Sequence, residues 1–134
     1  MNFSLKISTF RTNYLSKYCR ILRNIFFLIS FIIRSGLKTY VWDHYKRSVP
    51  MSTYLVAFVV SDFNVRESEN RNFRVWARHN AINQAQYSLN IGPKVLRYFE
   101  DYFKIKFPLP KMDMVALPDF AAGAMENWGL LTFR

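Results

Sequence analysis

Three patterns in this 134-residue chain predict an α+β fold. A β-branched and aromatic run from Tyr54 to Val60 is typical of a buried strand. Apolar and polar residues alternate over residues 73–78, which is the period of a strand with one wet face. Over residues 81–103, apolar side chains recur at three- and four-residue spacing, which indicates one face of a helix.

The first forty residues form a basic leader that holds seven lysines and arginines and no acid. Its apolar run from Ile25 to Ile33 is shorter than the roughly 20 residues of a membrane-spanning helix. A basic lead-in before a short apolar run is typical of a secretory signal or signal anchor. No small-x-small cleavage site follows, so an artefactual reading of untranslated sequence stays equally open. Residues 1–40 are expected to carry no chemistry.

From residue 41 onward the composition is that of a folded protein. The run from Tyr54 to Val60 is predicted to be buried on both of its faces. A polar loop, Glu67 to Asn72, precedes the next strand. In that strand Phe73, Val75 and Ala77 are predicted to face the core, and the residues between them to face water.

A helix is predicted after Asn80, which can cap its first turn. Gly92-Pro93 is expected to kink it or to start it anew, because proline removes a donor and clashes with the preceding turn. Short strands are predicted at residues 112–117 and 129–133. The predicted apolar face consists of Ala81, Ala85, Leu89, Leu96, Phe99 and Phe103.

The net charge of +10 makes nucleic-acid binding a function to consider. Most of this charge lies in the leader, and no basic, aromatic-interleaved face recurs in the body. We therefore expect no nucleic-acid partner. Cys19 is the only cysteine, so the chain forms no internal disulfide and no thiolate metal cluster.

The last dozen residues are the most informative part of the chain. They place a lone carboxylate, Glu126, between two glycines and an apolar strand. A charge in an apolar setting costs several kcal/mol unless a partner meets it. Backbone beside a glycine can approach a ligand closely, because no Cβ intervenes. This combination suits the floor of a cleft that binds a short extended peptide by its main chain and its positive end.

The string Gly123-Ala124-Met125-Glu126-Asn127, followed by Trp-Gly, resembles the GAMEN signature of the M1 family of zinc aminopeptidases. The resemblance extends over about residues 41–134. It implies that residues 41–78 are the C-terminal part of an antiparallel N-terminal β-domain. It also implies that residues 79–134 are the start of a thermolysin-like catalytic domain, truncated after the signature.

The resemblance implies a substrate-binding role for each residue of the signature. In this family the glutamate binds the free α-amino group of the substrate, and Glu126 holds that position. Gly123 and Ala124 match positions whose backbone lies alongside the bound peptide. Met125 matches a wall of the pocket for the first side chain, and Asn127 is interpreted as a local brace for Glu126. The expected partner is a peptide with a free N-terminus.

The cofactor implied by the resemblance is zinc, held in the complete family enzyme by residues downstream of the signature. A zinc peptidase needs His-Glu-x-x-His on one helix, and neither His44 nor His79 has that neighbourhood. We therefore expect no zinc site and no catalytic residue within this chain, which alone should be inactive. The family implies a location at the plasma membrane or outside the cell.

An alternative from a different class is a non-catalytic peptide-binding or membrane-associated protein that uses its leader as an anchor. Coding sequence beyond Arg134 distinguishes the two, because a downstream His-Glu-x-x-His would support the enzyme. A third and weaker hypothesis is a basic nucleic-acid-binding protein, which salt-dependent retention on DNA would test.

Overall fold

A computed structural model of the chain describes residues 49–134 and, before them, the backbone of four strands. These strands are β1 (Ile7–Phe10), β2 (Arg20–Arg23), β3 (Ile29–Ser35) and β4 (Lys38–His44). β4 pairs antiparallel with both β1 and β3. Of the apolar run predicted in the leader, residues 29–33 lie in β3, whereas residues 25–28 lie outside the described residues. The signal-like function of the leader stays a prediction, and the proposed boundary after residue 40 falls inside β4.

After β5 (Phe58–Ser61), which pairs antiparallel with β2, a five-stranded mixed sheet organises the chain. Its strands are β6 (Asn64–Glu67), β7 (Phe73–Ala77), β8 (Met112–Ala116), β9 (Ala124–Met125) and β10 (Leu130–Phe133). Their order is β6-β7-β8-β10-β9, with the three central strands parallel and the two edge strands antiparallel to their neighbours. The parallel pair β7 and β8 is joined through the helix α1 (Gln86–Phe103), as such a pair requires a crossover. The mixed sheet and helix agree with the predicted α+β class.

Apolar clusters cover both faces of this sheet. Against α1 lies a cluster of Phe73, Val75, Ala77, Ile82, Ala85 and Met112. The opposite face carries a cluster of Phe63, Trp76, Val115 and Leu130, against which the β5 segment packs through Ala57 and Val59. Val115 and Leu130 are completely buried, so the two parallel strands next to the signature belong to the best-packed part of the described chain.

Two strand predictions need correction. The run predicted as one doubly buried strand consists of a 3₁₀ turn at Thr53–Leu55 and the short strand β5, whose Phe58 and Val60 are exposed. Only one face of β5 packs against the sheet, which explains this exposure. The predicted wet face of β7 is also wrong, because Trp76 is buried in the second cluster and Arg74 meets a buried carboxylate.

The helix predictions are wrong at the start and at the proline. Asn80 caps nothing: it lies in a turn, a 3₁₀ turn follows at Ile82–Ala85, and α1 begins at Gln86 with no side-chain cap. α1 also runs through Pro93 without interruption. Leu89 and Leu96 pack against the core on either side of the proline. We infer that this packing offsets the roughly 3 kcal/mol that a proline costs inside a helix.

The outer face of α1 is rich in exposed aromatic side chains. Phe99 and Phe103, predicted to face the core, instead stack on each other with ring centroids 5.9 Å apart and remain exposed. Tyr98 and Tyr102 stack in the same way at 6.2 Å. The apolar face of α1 that contacts the core is therefore shorter than the spacing of apolar residues in the sequence predicts.

The end of α1 is fixed by Glu100. Lys104 ends the helix in the left-handed region, with φ of 56°. The chain then returns, so that the amide of Phe107 donates to Glu100 Oε1 over 2.7 Å and Lys106 Nζ lies 3.6 Å from Oε2. The amide of Phe107 is the main cause that holds the pKa of Glu100 below its ordinary value of 4.5; desolvation opposes this effect and Lys106 adds to it.

We expect Glu100→Gln to change the acid dependence of stability. A carboxylate whose pKa is lowered by folding stabilises the folded state above its unfolded pKa, and this stabilisation is lost as the pH falls through the folded value. The difference in unfolding free energy between wild type and variant should therefore be full above pH 4.5 and shrink below it. Urea unfolding at several pH values measures it, with Glu69→Gln, at an exposed residue, as control. A difference that is constant with pH would contradict this account.

Candidate functional site

The predicted substrate-binding segment lies at the edge of the five-stranded sheet. Ala124 and Met125 form β9, which pairs only with β10 within the described part of the chain. Thr132 lies opposite Met125, and Phe133 lies opposite Ala124. An edge strand presents one row of backbone groups that its own sheet does not use. The segment is therefore placed where another extended chain can reach its backbone.

The register shows which backbone groups point to the open edge. The Arg134 amide donates to the Gly123 carbonyl oxygen over 2.7 Å. In an antiparallel pair the hydrogen-bonded positions alternate, so Ala124 directs its own N–H and C=O away from β10. The Ala124 amide donates a hydrogen bond to the nearby carbonyl oxygen of Ala122. Its carbonyl oxygen is the acceptor that faces outward.

Gly123 leaves space in front of this edge. Its φ is +68°, which a side chain would strain, and a Cβ built on it would meet no atom within 4 Å. The glycine is therefore required by the backbone turn into β9. The space in front of it lies open in the structure.

Glu126 follows β9 directly and its side chain is exposed. Among the described residues no hydrogen bond or salt bridge to its carboxylate is found. The sequence places this carboxylate in an apolar stretch, but in the described structure the group is exposed to solvent. It therefore keeps its full capacity to accept hydrogen bonds from a cation.

Asn127 is buried and its amide links three elements. Its Nδ2 lies 3.5 Å from the carbonyl oxygen of Tyr54 and 3.4 Å from that of Leu55, while its Oδ1 accepts from Thr132 Oγ1 over 3.3 Å. The residue thus links the backbone of the 3₁₀ turn to β10, and none of these bonds reaches the Glu126 carboxylate. Its role toward a bound peptide stays a prediction, as does the role of the half-buried Met125.

A tight turn connects Glu126 to β10. The Leu130 amide donates to the carbonyl oxygen of Asn127 over 3.0 Å, and Gly129 has φ of +84°. A positive φ at the third residue fits a type II turn, in which glycine is preferred. The Gly129 carbonyl oxygen accepts from two donors, the amide of Asp113 at 3.1 Å and Lys111 Nζ at 2.8 Å. We call residues 127–130 the anchored turn.

A buried charged cluster, which the sequence patterns do not predict, supports this turn. Asp113 on β8 is completely buried. Its carboxylate accepts from Arg74 Nε at 2.5 Å and Nη2 at 2.8 Å, from Lys111 Nζ at 2.6 Å, and from Trp76 Nε1 at 3.3 Å. Burial lowers the pKa of Lys111, and the neighbouring Asp113 carboxylate opposes that shift. The signal in the sequence is the pair Lys111 and Asp113, two charges that flank Met112 at the start of the apolar strand β8.

The described residues offer no set of metal ligands. Within residues 49–134, no group of three or more His, Cys, Asp or Glu side chains is placed to hold a metal ion. His79 is exposed, with its Nδ1 2.8 Å from Asn64 Nδ2, and His44 lies in β4, where only the backbone is described. Among the described helices, none has the length and apolar character that crossing a membrane requires.

Comparison with known proteins identifies the family. Residues 87–134 match the model of the peptidase family M1 domain. Aminopeptidase N of Haemonchus contortus is 53% identical over 87 residues, which are 63% of this chain and 9% of that protein. Endoplasmic reticulum aminopeptidase 1 of Homo sapiens is 50% identical over 95 residues, 69% of this chain and 10% of the relative.

A third relative is named for a different activity. Glutamyl aminopeptidase of Bitis rhinoceros is 50% identical over 93 residues, which are 67% of this chain and 10% of that protein. The chain thus spans about a tenth of the length of the relatives it matches. It belongs to the M1 family of peptidases, as its signature at residues 123–127 predicts.

Proposed function

We propose that this segment is the substrate N-terminus site of an M1 aminopeptidase that removes N-terminal residues from peptides. The observation that carries this proposal is the exposed Glu126 carboxylate, which stands beside an open sheet edge without a bond to another described residue. The names of the relatives, all aminopeptidases, support the reaction class.

The sheet edge accounts for recognition of the main chain. A peptide that lies alongside β9 can donate an N–H to the outward carbonyl oxygen of Ala124, as in the addition of a strand. The open space at Gly123 lets this peptide backbone approach closely. These contacts are common to all peptides, so they bind the substrate without selecting its sequence.

Glu126 accounts for the preference for a free N-terminus. An ammonium donates a charge-assisted hydrogen bond to a carboxylate, and a blocked N-terminus lacks this charge. Met125 contributes a flexible wall for the first side chain. The zinc that the family resemblance implies would be held by residues outside this chain. A location on the secretory route, at the plasma membrane or outside the cell, is part of the same proposal.

Replacing Glu126 with glutamine tests the proposal in the longer M1 protein that carries this segment. The amide keeps the shape of the side chain but loses its charge. A hydrogen bond to a charged group contributes about 1.5–3 kcal/mol, so kcat/KM for a chromogenic amino-acid amide should fall roughly 10- to 100-fold. Asp119→Asn is the matched control, because Asp119 is also an exposed carboxylate. It should leave kcat/KM unchanged.

Two results would contradict the proposal. One is a Glu126→Gln variant with the kcat/KM of the wild type. The other is a transcript that ends at a genuine stop codon after Arg134, since the protein would then carry the binding edge without a downstream His-Glu-x-x-His. Binding of peptides without turnover by that product would support a non-catalytic peptide-binding protein instead.

A further inference from the structure

We propose that Lys111 is a positioning residue for Glu126, acting through the anchored turn. This inference rests on the proposed function of Glu126. Lys111 lies just before β8, and its ammonium bridges the buried Asp113 carboxylate, at 2.6 Å, and the Gly129 carbonyl oxygen, at 2.8 Å. It thereby connects the most buried charge of the described structure to the turn that follows Glu126.

The carboxylate of Glu126 needs such support from the backbone. No described residue holds its side chain, so its position relative to the sheet edge depends on the residues on either side. Before it, Met125 pairs with Thr132. After it, Asn127 begins the anchored turn, whose Gly129 carbonyl is fixed by Lys111. Removal of the ammonium leaves the Gly129 carbonyl with the Asp113 amide as its remaining donor among these two, and so loosens this side.

The cluster behind Lys111 makes the ammonium a rigid anchor. Asp113 is held on its other side by two bonds from Arg74 and one from Trp76. Only about a seventh of the Lys111 side chain is exposed, at 15%. Because the Lys111 side chain is confined in this way, its ammonium stays fixed relative to β8. It therefore holds the Gly129 carbonyl, and with it the turn, in one position. A solvated lysine could not do so.

A role in positioning differs measurably from a role in stability alone. Loss of stability reduces the amount of folded enzyme but leaves the affinity of the folded fraction for every ligand unchanged. Displacement of Glu126 weakens only ligands that carry an α-ammonium. The ratio of inhibition constants for two ligands that differ only in this group therefore reports position and is independent of the folded fraction.

The test uses the longer M1 enzyme with Lys111→Met, which keeps the length of the side chain and removes its charge. Leucinamide and 4-methylpentanamide, its analogue without the α-amine, are compared as competitive inhibitors. Misplacement of a binding group by about 1 Å can cost up to 100-fold. We expect the preference for leucinamide to fall roughly tenfold or more, with the inhibition constant of the analogue unchanged. Lys94→Met, at an exposed lysine of α1, is the control and should keep the full preference.

Glu126→Gln is measured in parallel. If it abolishes the preference for the amine while Lys111→Met retains it, the positioning role is contradicted and the proposed function stands. If Glu126→Gln itself keeps the preference, the proposed function fails. Should Lys111→Met not fold, Lys111→Gln replaces it: its shorter, neutral amide cannot bridge Asp113 and Gly129. The same fall is expected of it, and an unchanged preference would overturn the proposal.

Discussion

Replacing Asp113 with alanine is expected to lower the free energy of unfolding by about 3–5 kcal/mol, the usual cost of removing one partner from a buried ion pair. Asp113 is completely buried and accepts hydrogen bonds from Arg74, Lys111 and Trp76. Without the carboxylate, Arg74 and Lys111 lose the buried anion that they share. Their desolvation, and not the loss of packing, dominates the expected effect.

Urea unfolding of the chain, followed by tryptophan fluorescence, measures this effect, because the Trp76 indole lies against the carboxylate. Asp62→Ala removes an exposed carboxylate in a turn and is the control, with an expected change within about 0.5 kcal/mol. The loss of unfolding free energy for Asp113→Asn should lie between those of Asp113→Ala and Asp62→Ala, since asparagine keeps an acceptor but loses the charge. A cost below about 1 kcal/mol for Asp113→Ala would show that the cations are solvated in the folded chain.

This cluster also shows what the sequence could not predict. Short apolar runs predict strands β8 and β10, and the signature at residues 123–127 predicts the site. The contact of Arg74 with Asp113 depends on the parallel pairing of β7 with β8, which joins these residues although they are 39 positions apart. The contact of Asn127 with the 3₁₀ turn spans more than 70 positions. Local patterns carry no information about such pairs.

Two of the wrong sequence predictions share one physical cause. Local propensity predicts a break at Pro93 and a wet face on β7, and packing overrides propensity in both places. The alternating pattern predicts that Trp76 and Arg74 face water. In the structure, a second apolar cluster buries Trp76, and Arg74 pairs with the buried Asp113 carboxylate. The predicted role of Glu126 depends less on packing, since an exposed side chain at an edge needs only a correctly placed backbone.

A second large loss of stability is expected from substitutions at Gly92, where α1 crosses β7. A Cβ built on Gly92 would lie 2.1 Å from Cζ of Phe73, 2.4 Å from Cε1 and 2.9 Å from Cε2. Rotation of the ring cannot relieve three such contacts, and Phe73 is buried in the core cluster. Gly92→Val should therefore push the helix away from the sheet. We expect a loss of about 3 kcal/mol in unfolding free energy, the upper end of the usual range for overpacking.

Two explanations of this glycine make opposite predictions. If Gly92 served to loosen the helix before Pro93, alanine would stabilise α1, because glycine is less favourable in a helix by about 1 kcal/mol. If it serves the close approach of helix and sheet, Gly92→Ala is destabilising despite its better propensity. Gly92 is not among the residues with positive φ, so backbone conformation does not require it. We therefore expect Gly92→Ala to destabilise the chain and Lys94→Val, at an exposed helix position, to have little effect.

A double-mutant cycle with Phe73→Leu decides between these explanations. Leucine lacks the three ring atoms that collide with the new Cβ, so the cost of Gly92→Ala should fall by at least about 1 kcal/mol in this background. Urea unfolding of the wild type, both single variants and the double variant gives the coupling energy. Strictly additive costs would mean that the helix already moves away from Phe73 at no expense. The short helix-to-sheet distance would then not be what selects glycine at this position.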